Sequence, residues 1–316
     1  FDWELFLATL LGLRWGWLLS AAFIALVSYY GRALRWRVMI RHLKPHPSLW
    51  GLFSATAIGF TAIVIFGRAG ELARPYLISA KERVSFSSQL AAWLLERICD
   101  LLAALLIFAF ALIQVGRSGV KAGPGLQWAM NVGGYVAGLA GLCCLLVFFL
   151  LRQYSRSMEQ RLSAGLGFLP DHWRSKVQDL VNSFVLGVES TRQRGALLWL
   201  CLYTLLEWGL IVLCYFALFR SFPALAGLGI TDVLILIGFV AFGSLVQIPG
   251  VGGGMQVVSI VVLTEIFHIP LEVAGGIALV IWVVTFVVIV PLGLLLAVHE
   301  GLNWKNLKEM EKGDAP

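Results

Sequence analysis

The sequence predicts an all-α polytopic integral membrane protein, with about five full transmembrane helices plus two inverted re-entrant helical hairpins. Three observations predict it. Of 316 residues, 59% are hydrophobic and 13% charged, with a mean hydropathy of +0.85, well outside the range of soluble domains. The apolar runs alternate with connections that are either cation-rich or nearly uncharged. Two of the runs are broken, one at Gly67 and Gly70 and the other at "QIPGVGGG", Gln247 to Gly254.

A helix needs about 20 apolar residues to cross about 30 Å of hydrocarbon. Candidate spans are 15–30, 48–66, 89–115, 128–151, 196–219, 231–248, 255–267 and 271–298. The run 255–267 is too short to cross, and 48–66 leads into a polar stretch, 67–88, that cannot return through lipid as an apolar helix. Orientation follows from positive charge. Arg32, Arg35, Arg37, Arg41 and Lys44 fall in connection 31–47; Arg152, Arg156, Arg161, Arg174, Lys176, Arg192 and Arg194 in loop 152–194; Lys305, Lys308 and Lys312 in the C-terminal tail. All three should be cytoplasmic, and the poorly charged connections 117–127 and 220–230 should face outward.

If 48–66 crossed fully, the seven-cation loop 152–194 would be exported. Parity therefore predicts that 48–88 dips in from the cytoplasm and 231–267 from outside. The N-terminus then lies outside, which fits a further helix upstream. Within one domain, 1–316, this makes 48–115 a first repeat and 231–298 a second of inverted topology. Gly59 and Phe60 in one match Gly238 and Phe239 in the other, and broken apolar segments at matching positions point to a transport site.

The net charge of +6 follows membrane topology, and no nucleic-acid partner is expected. Cys99, Cys143, Cys144, Cys201 and Cys214 lie in apolar stretches with no CxxC pair, and read as lipid-facing or packed thiols. His42, His46, His172, His268 and His299 are scattered, and neither HExxH nor GxSxG occurs, so the sequence makes no case for hydrolysis, a catalytic metal or a cofactor. Loop 152–194 carries Trp173, Val177, Leu180, Val181, Phe184 and Val188 at helical spacing, an amphipathic helix either on the cytoplasmic leaflet or packed beneath the spans.

Charges inside the spans are the candidates for function. The 15 residues from Leu101 to Val115 reach only about 22 Å, so Glu96, Arg97 and Asp100 must enter the hydrocarbon region. Spacings of three and four place them on one face with Trp93, where Arg97 can pair with Asp100. Arg68, Glu71 and Arg74 follow the first break, with Pro75 limiting the helix. Two facing polar strips result. In one reading the cations hold a lipid phosphate while the carboxylates order them or exchange protons; in the other an internal ion-pair network pins the hairpin. At the second break Pro249 stops a helix, and Gly250, Gly252, Gly253 and Gly254 expose amides that suit an anion, or form a tight turn with no ligand. Glu207 is either a proton relay or a hydrogen-bonded packing residue.

At "GRAGELARPYLIS", "ERICD", "IPGVGGGMQ" and the "RALRW" of Arg32 to Trp36, the chain resembles the flippase-like family of the lysylphosphatidylglycerol synthase transmembrane region. The motifs are Gly70, Glu71 and Arg74; Glu96, Arg97 and Asp100; and the Pro/Gly turn. The resemblance covers nearly the whole chain. It implies a membrane domain that moves lipids between leaflets without ATP hydrolysis, the cargo being aminoacylated phosphatidylglycerol in the best-known members and polyprenyl-linked sugars or hopanoids in others. Members often carry Glu where this chain has Gln256, and Arg in the last span where it has Trp282, which points to a less cationic or differently shaped cargo. The aminoacyl-transferase domain of bifunctional relatives is not within these 316 residues, and lipid synthesis is not expected of them.

The expected reading is a lipid flippase-like transporter of a bacterial inner (plasma) membrane, not an enzyme, whose groove takes a head group while the tails stay in lipid. The substrate-binding set is Arg68, Glu71, Arg74, Glu96, Arg97, Asp100, Gly250, Gly252, Gly253, Gly254, Gln256 and Trp282. Arg74 and Arg97 would contact phosphate, and Glu71, Glu96 and Asp100 would orient or exchange protons. Partners would be a membrane phospholipid or polyprenyl-linked lipid, with room for a homo-oligomer and a separate lipid-modifying enzyme. The rival is a non-transporting scaffold or accessory subunit of a lipid or envelope-glycan assembly system; a weaker third is an enzyme acting on lipids within the membrane.

Overall fold

A computed structural model of the chain describes residues 2–118, scattered positions between 123 and 146, 195–244, 247–248 and 252–301. The expected span 128–151, the amphipathic loop 152–194, Gly250 and the lysines of the tail lie largely or wholly outside the described residues. Among the described residues, five stretches are long and apolar enough to cross a membrane: Trp15–Ile40, Leu49–Glu82, Phe86–Arg117, Leu198–Ser221 and Leu271–His299.

The chain opens with α1, Trp3–Leu11, a helix the spacing of apolar residues did not predict. Asp2 caps it by accepting from the Glu4 and Leu5 amides, and its Phe6 and Thr9 lie over Gly275 and Gly276. The next helix, α2, spans Trp15–Ile40. The connection expected at 31–47 therefore begins only at Arg41. Arg32 and Arg35 are helical, and Arg35 is completely buried, because carboxylates from two other helices offset the cost of taking its charge from water.

Helix α3, Leu49–Phe66, ends where Gly67 adopts φ 65°, a left-handed value glycine tolerates. A 3₁₀ turn, Gly67–Leu72, then reverses the chain into α4, Ala73–Glu82. The return limb lies along α3. A Cβ on Gly70 would meet the Ala62 carbonyl, and one on Gly59 the backbone of Arg74. At the base, the Ser48 amide donates to the Glu82 carboxylate at 3.1 Å, and Lys44 pairs with it at 2.7 Å. The stretch Leu49–Glu82 is thus a closed helical hairpin rather than a continuous rod.

After α5, Phe86–Ser118, and α6, Ala196–Ser221, a second hairpin forms from α7, Ile230–Gly243, and α8, Gly254–Glu265. A two-rung antiparallel bridge joins β1, Gln247–Ile248, to β2, Gly252–Gly253, across its tip. The chain then forms α9, Leu271–Trp282; a π-helical turn, Val283–Val287; and α10, Val290–His299. The expected span 271–298 is therefore helical along its length, with a π-helical turn following Trp282. The turn leaves the Thr285 carbonyl to accept from the Tyr29 hydroxyl at 3.1 Å.

Helices α2 and α6 run antiparallel: the Arg14 amide donates to the Ser221 carbonyl, Cys214 meets Ala21, and Arg35 meets Thr204. This pair defines two ends of the bundle. The first hairpin opens at the end of Lys44 and Glu300, where Lys81 pairs with Glu300 at 2.6 Å. The second opens at the opposite end, and the tips meet between them, where Arg68 donates to the Ser244 carbonyl at 3.3 Å. Each first arm is braced by a helix that follows the other hairpin. Gly238 of α7 lies against Ile107 and Phe108 of α5, and Gly293 of α10 against Ala57 and Thr61 of α3. The apolar interior forms two clusters, one around Phe108, Phe219 and Phe239 and one around Trp36, Ile40 and Leu52.

Candidate functional site

The ionic layer starts from Arg35, whose guanidinium reaches three carboxylates. Its Nη1 lies 2.6 Å from Asp100 and 3.1 Å from Glu207, and its Nη2 bonds Glu96. Periodicity explains the convergence: Glu96 and Asp100 are one turn apart on α5, and Glu207 sits on the face of α6 that meets α2. Arg32, one turn before Arg35, pairs with Glu207 at 2.9 Å. Arg74, carried back by the first hairpin, donates through Nη2 to Glu96, and its guanidinium stacks 4.1 Å from the Trp36 ring centre. Arg97 pairs with Asp100 at 3.1 Å and lies 3.5 Å from Glu96.

A cavity of about 400 Å³ opens beside this layer, between the tips of the two hairpins. That volume falls within the range of small-molecule sites. Arg32, Arg68, Glu71, Arg97, Asp100 and Glu207 border it. Arg68 and Glu71 form an ion pair at 2.6 Å. The Arg68 side chain is 50% exposed and that of Arg97 37%, whereas those of Arg35 and Glu96 are fully buried.

The expected site residues therefore fall into three groups. Arg68, Glu71, Arg97, Asp100 and Glu207 border the cavity. Arg74 and Glu96 stand behind its wall as a buried pair. Gly252, Gly253, Gly254, Gln256 and Trp282 do not border it among the described residues. Gly253 has φ 120°, and its amide donates to Gln256 Oε1 at 2.6 Å, so Gln256 caps the start of α8. Trp282 packs into the apolar cluster around Phe108. Sequence reasoning missed Arg32 and Arg35, which it assigned to a loop. The signal was present: a span of 15–30 reaches only about 24 Å, so α2 had to continue through both arginines to cross.

The model of the family described as lysylphosphatidylglycerol synthase TM region matches residues 1–293. The chain belongs to this family. As a lysylphosphatidylglycerol synthase TM region with several apolar helices of crossing length, it is a multi-pass membrane domain. It is also similar to the glycosyltransferase AglD of Haloferax volcanii, at 30% identity over 101 residues. That match covers 32% of this chain and 16% of AglD. No solved structure matches the chain. Membership in the lysylphosphatidylglycerol synthase TM family joins the motifs of Glu71 and Arg74, and of Glu96, Arg97 and Asp100, to a membrane lipid or glycan context.

Proposed function

We propose that this domain moves an anionic lipid, by its phosphate-bearing head group, between leaflets without ATP hydrolysis. The observation that carries this reading is the cavity at the meeting point of the two opposed hairpins, bordered by three arginines and three carboxylates. Including the buried Arg35, Arg74 and Glu96 behind it, the layer holds five arginines against four carboxylates among the described residues. The excess of one positive charge matches the single negative charge of a phosphodiester, which would neutralise the layer. Arg97 and Arg68, the more exposed arginines at the cavity, contact the phosphate; Glu71 and Asp100 orient them. The hairpins act as re-entrant elements, and rocking about their tips exposes the cavity to either side. Their reciprocal bracing on α5 and α10 supports reading the two halves as inverted repeats. The Lys44 end is cytoplasmic, since Arg37, Arg41 and Lys44 gather there.

The test is leaflet exchange in proteoliposomes, using head-group-labelled phosphatidylglycerol and dithionite quenching. The wild type should remove the protected signal, and Arg97→Ala and Glu71→Ala should abolish that activity. Exchange that survives both substitutions would refute the assigned route.

A second reading, a non-transporting scaffold, is favoured by the ion pairing of every carboxylate in the layer. It predicts that the swap Arg97→Asp with Asp100→Arg keeps cellular function, whereas a phosphate carrier should lose it. Similarity to a glycosyltransferase over part of its length makes a glycan-bearing lipid the second cargo to assay.

A further inference from the structure

The cavity is polarised along the bundle axis, and this polarity extends to the lipid's chain the reading just proposed for its head group. On α2 the bordering residues run from Arg32 through Tyr29 and Ser28 to Ala25. On α5 they run from Arg97 and Asp100 to Leu101 and Ala104, and on α6 from Glu207 and Trp208 through Ile211 to Cys214 and Tyr215. On α7 they run from Ser244 at the tip through Ala241 and Val240 to Ile237. The ion pairs and the antiparallel course of α2 and α6 make all four gradients run the same way, charged towards Lys44 and apolar towards Ser221. Seven or eight residues of helix at 1.5 Å each give the charged-to-apolar passage a length of about 10–12 Å.

A site for a free head group would have no use for such an apolar half. An internal passage with one ionic end and one apolar end matches an amphiphile entering lengthwise. At the boundary sits Trp208, which borders the cavity and whose indole N–H is buried with no hydrogen-bond partner among the described residues. A buried donor left unpaired is costly, and an oxygen linking a phosphate group to its chain would satisfy it at that level.

We infer that the cavity seats the first part of one hydrocarbon chain together with the phosphate, the linkage oxygen meeting Trp208 and the chain lying between α5, α6 and α7. The bound lipid points its chain towards the Ser221 end, the orientation of a lipid drawn from the leaflet at the Lys44 end. Two ligand sources share this chemistry, a diacyl phosphoglyceride and a polyprenyl phosphate.

Photocrosslinking of the protein in nanodiscs tests this without requiring transport. Two phosphatidylglycerols are compared, one with a diazirine near the ester of one chain and one with it at the chain terminus, beside a polyprenyl phosphate with a diazirine in its first isoprene unit. The proximal probes should modify Ile211, Cys214, Val240 or Ile237, and excess unlabelled lipid of the same class should suppress these adducts. The terminal probe should modify outward-facing positions towards the Ser221 end, such as Leu213 and Ile113, which are 49% and 54% exposed. Ala104→Leu and Ala241→Leu, on different helices, fill the apolar half and should each lower the interior adducts at least about tenfold while the exterior adducts persist. Interior labelling by one source alone identifies that source as the ligand. Exterior adducts alone from every probe would overturn the inference. Interior adducts from a protein inactive in leaflet exchange would retain the chain seat and refute only transport.

Discussion

Replacing Arg35 with methionine tests whether one buried guanidinium holds the helices around the ionic layer together. The side chain is fully buried and contacts Glu96, Asp100 and Glu207 on two other helices. Its loss leaves the buried Glu96 and Glu207 and the partly buried Asp100 with their remaining cations: Arg74 and Arg97 for Glu96, Arg97 for Asp100 and Arg32 for Glu207. Removing one partner from a buried ionic cluster costs about 3–5 kcal/mol. The surviving pairs place Arg35→Met near the lower bound, which corresponds to about two orders of magnitude in the folding equilibrium. Unfolding in mixed micelles by increasing SDS, followed by circular dichroism, measures the change. Adding Asp100→Asn should recover at least about 1 kcal/mol, since it removes a carboxylate whose remaining partner, Arg97, reaches the cavity. Stability of Arg35→Met within about 0.5 kcal/mol of wild type would refute the argument, as would a double variant that loses the full sum of two independent costs.

Gly293→Ala should destabilise by about 1–3 kcal/mol, because a Cβ there would lie 2.7 Å from the Ala57 carbonyl oxygen, a backbone atom that cannot turn aside; the same SDS titration reads it. Tyr29→Phe removes the donor to the Thr285 carbonyl in the π turn and should cost about 1 kcal/mol, with faster amide exchange at Val283–Val287. At the base of the first hairpin, Lys81→Glu or Glu300→Lys alone should lower stability by about 0.5–1 kcal/mol and the double exchange restore it, since the pair is three-quarters buried.

The two places where the chain turns back were legible in the sequence because glycine and proline break two apolar runs at matching positions. Spacing also gave two polar strips, but not which charges meet across them, and the pairing of Arg74 with Glu96 emerges only once the first hairpin has folded back. Arg32 and Arg35 were misread because a count of cations beside a span treats every arginine as a marker of the cytoplasm, whereas these two are neutralised by acids up to 175 positions away (Arg32 to Glu207). The π turn has no local signature. It accompanies a hydrogen bond from Tyr29, more than 250 positions earlier in the chain, and such a pairing exists only once the helices have met. The three-carboxylate environment of Arg35 is of the same kind, because Glu207 reaches it from a helix that sequence spacing alone does not bring near α2.

The exchange of braces between the halves has a consequence during synthesis. The second hairpin emerges when α5, its support, is already made. The first must wait for Gly293, 232 positions after Thr61, which at about 5–20 residues per second is a delay on the order of 10–50 s. Through that interval its return limb is held by partners that leave the ribosome early, Arg74 on Glu96 and Lys44 on Glu82. The same salt bridges that line the finished interior thus serve first as a temporary splint for a nascent chain.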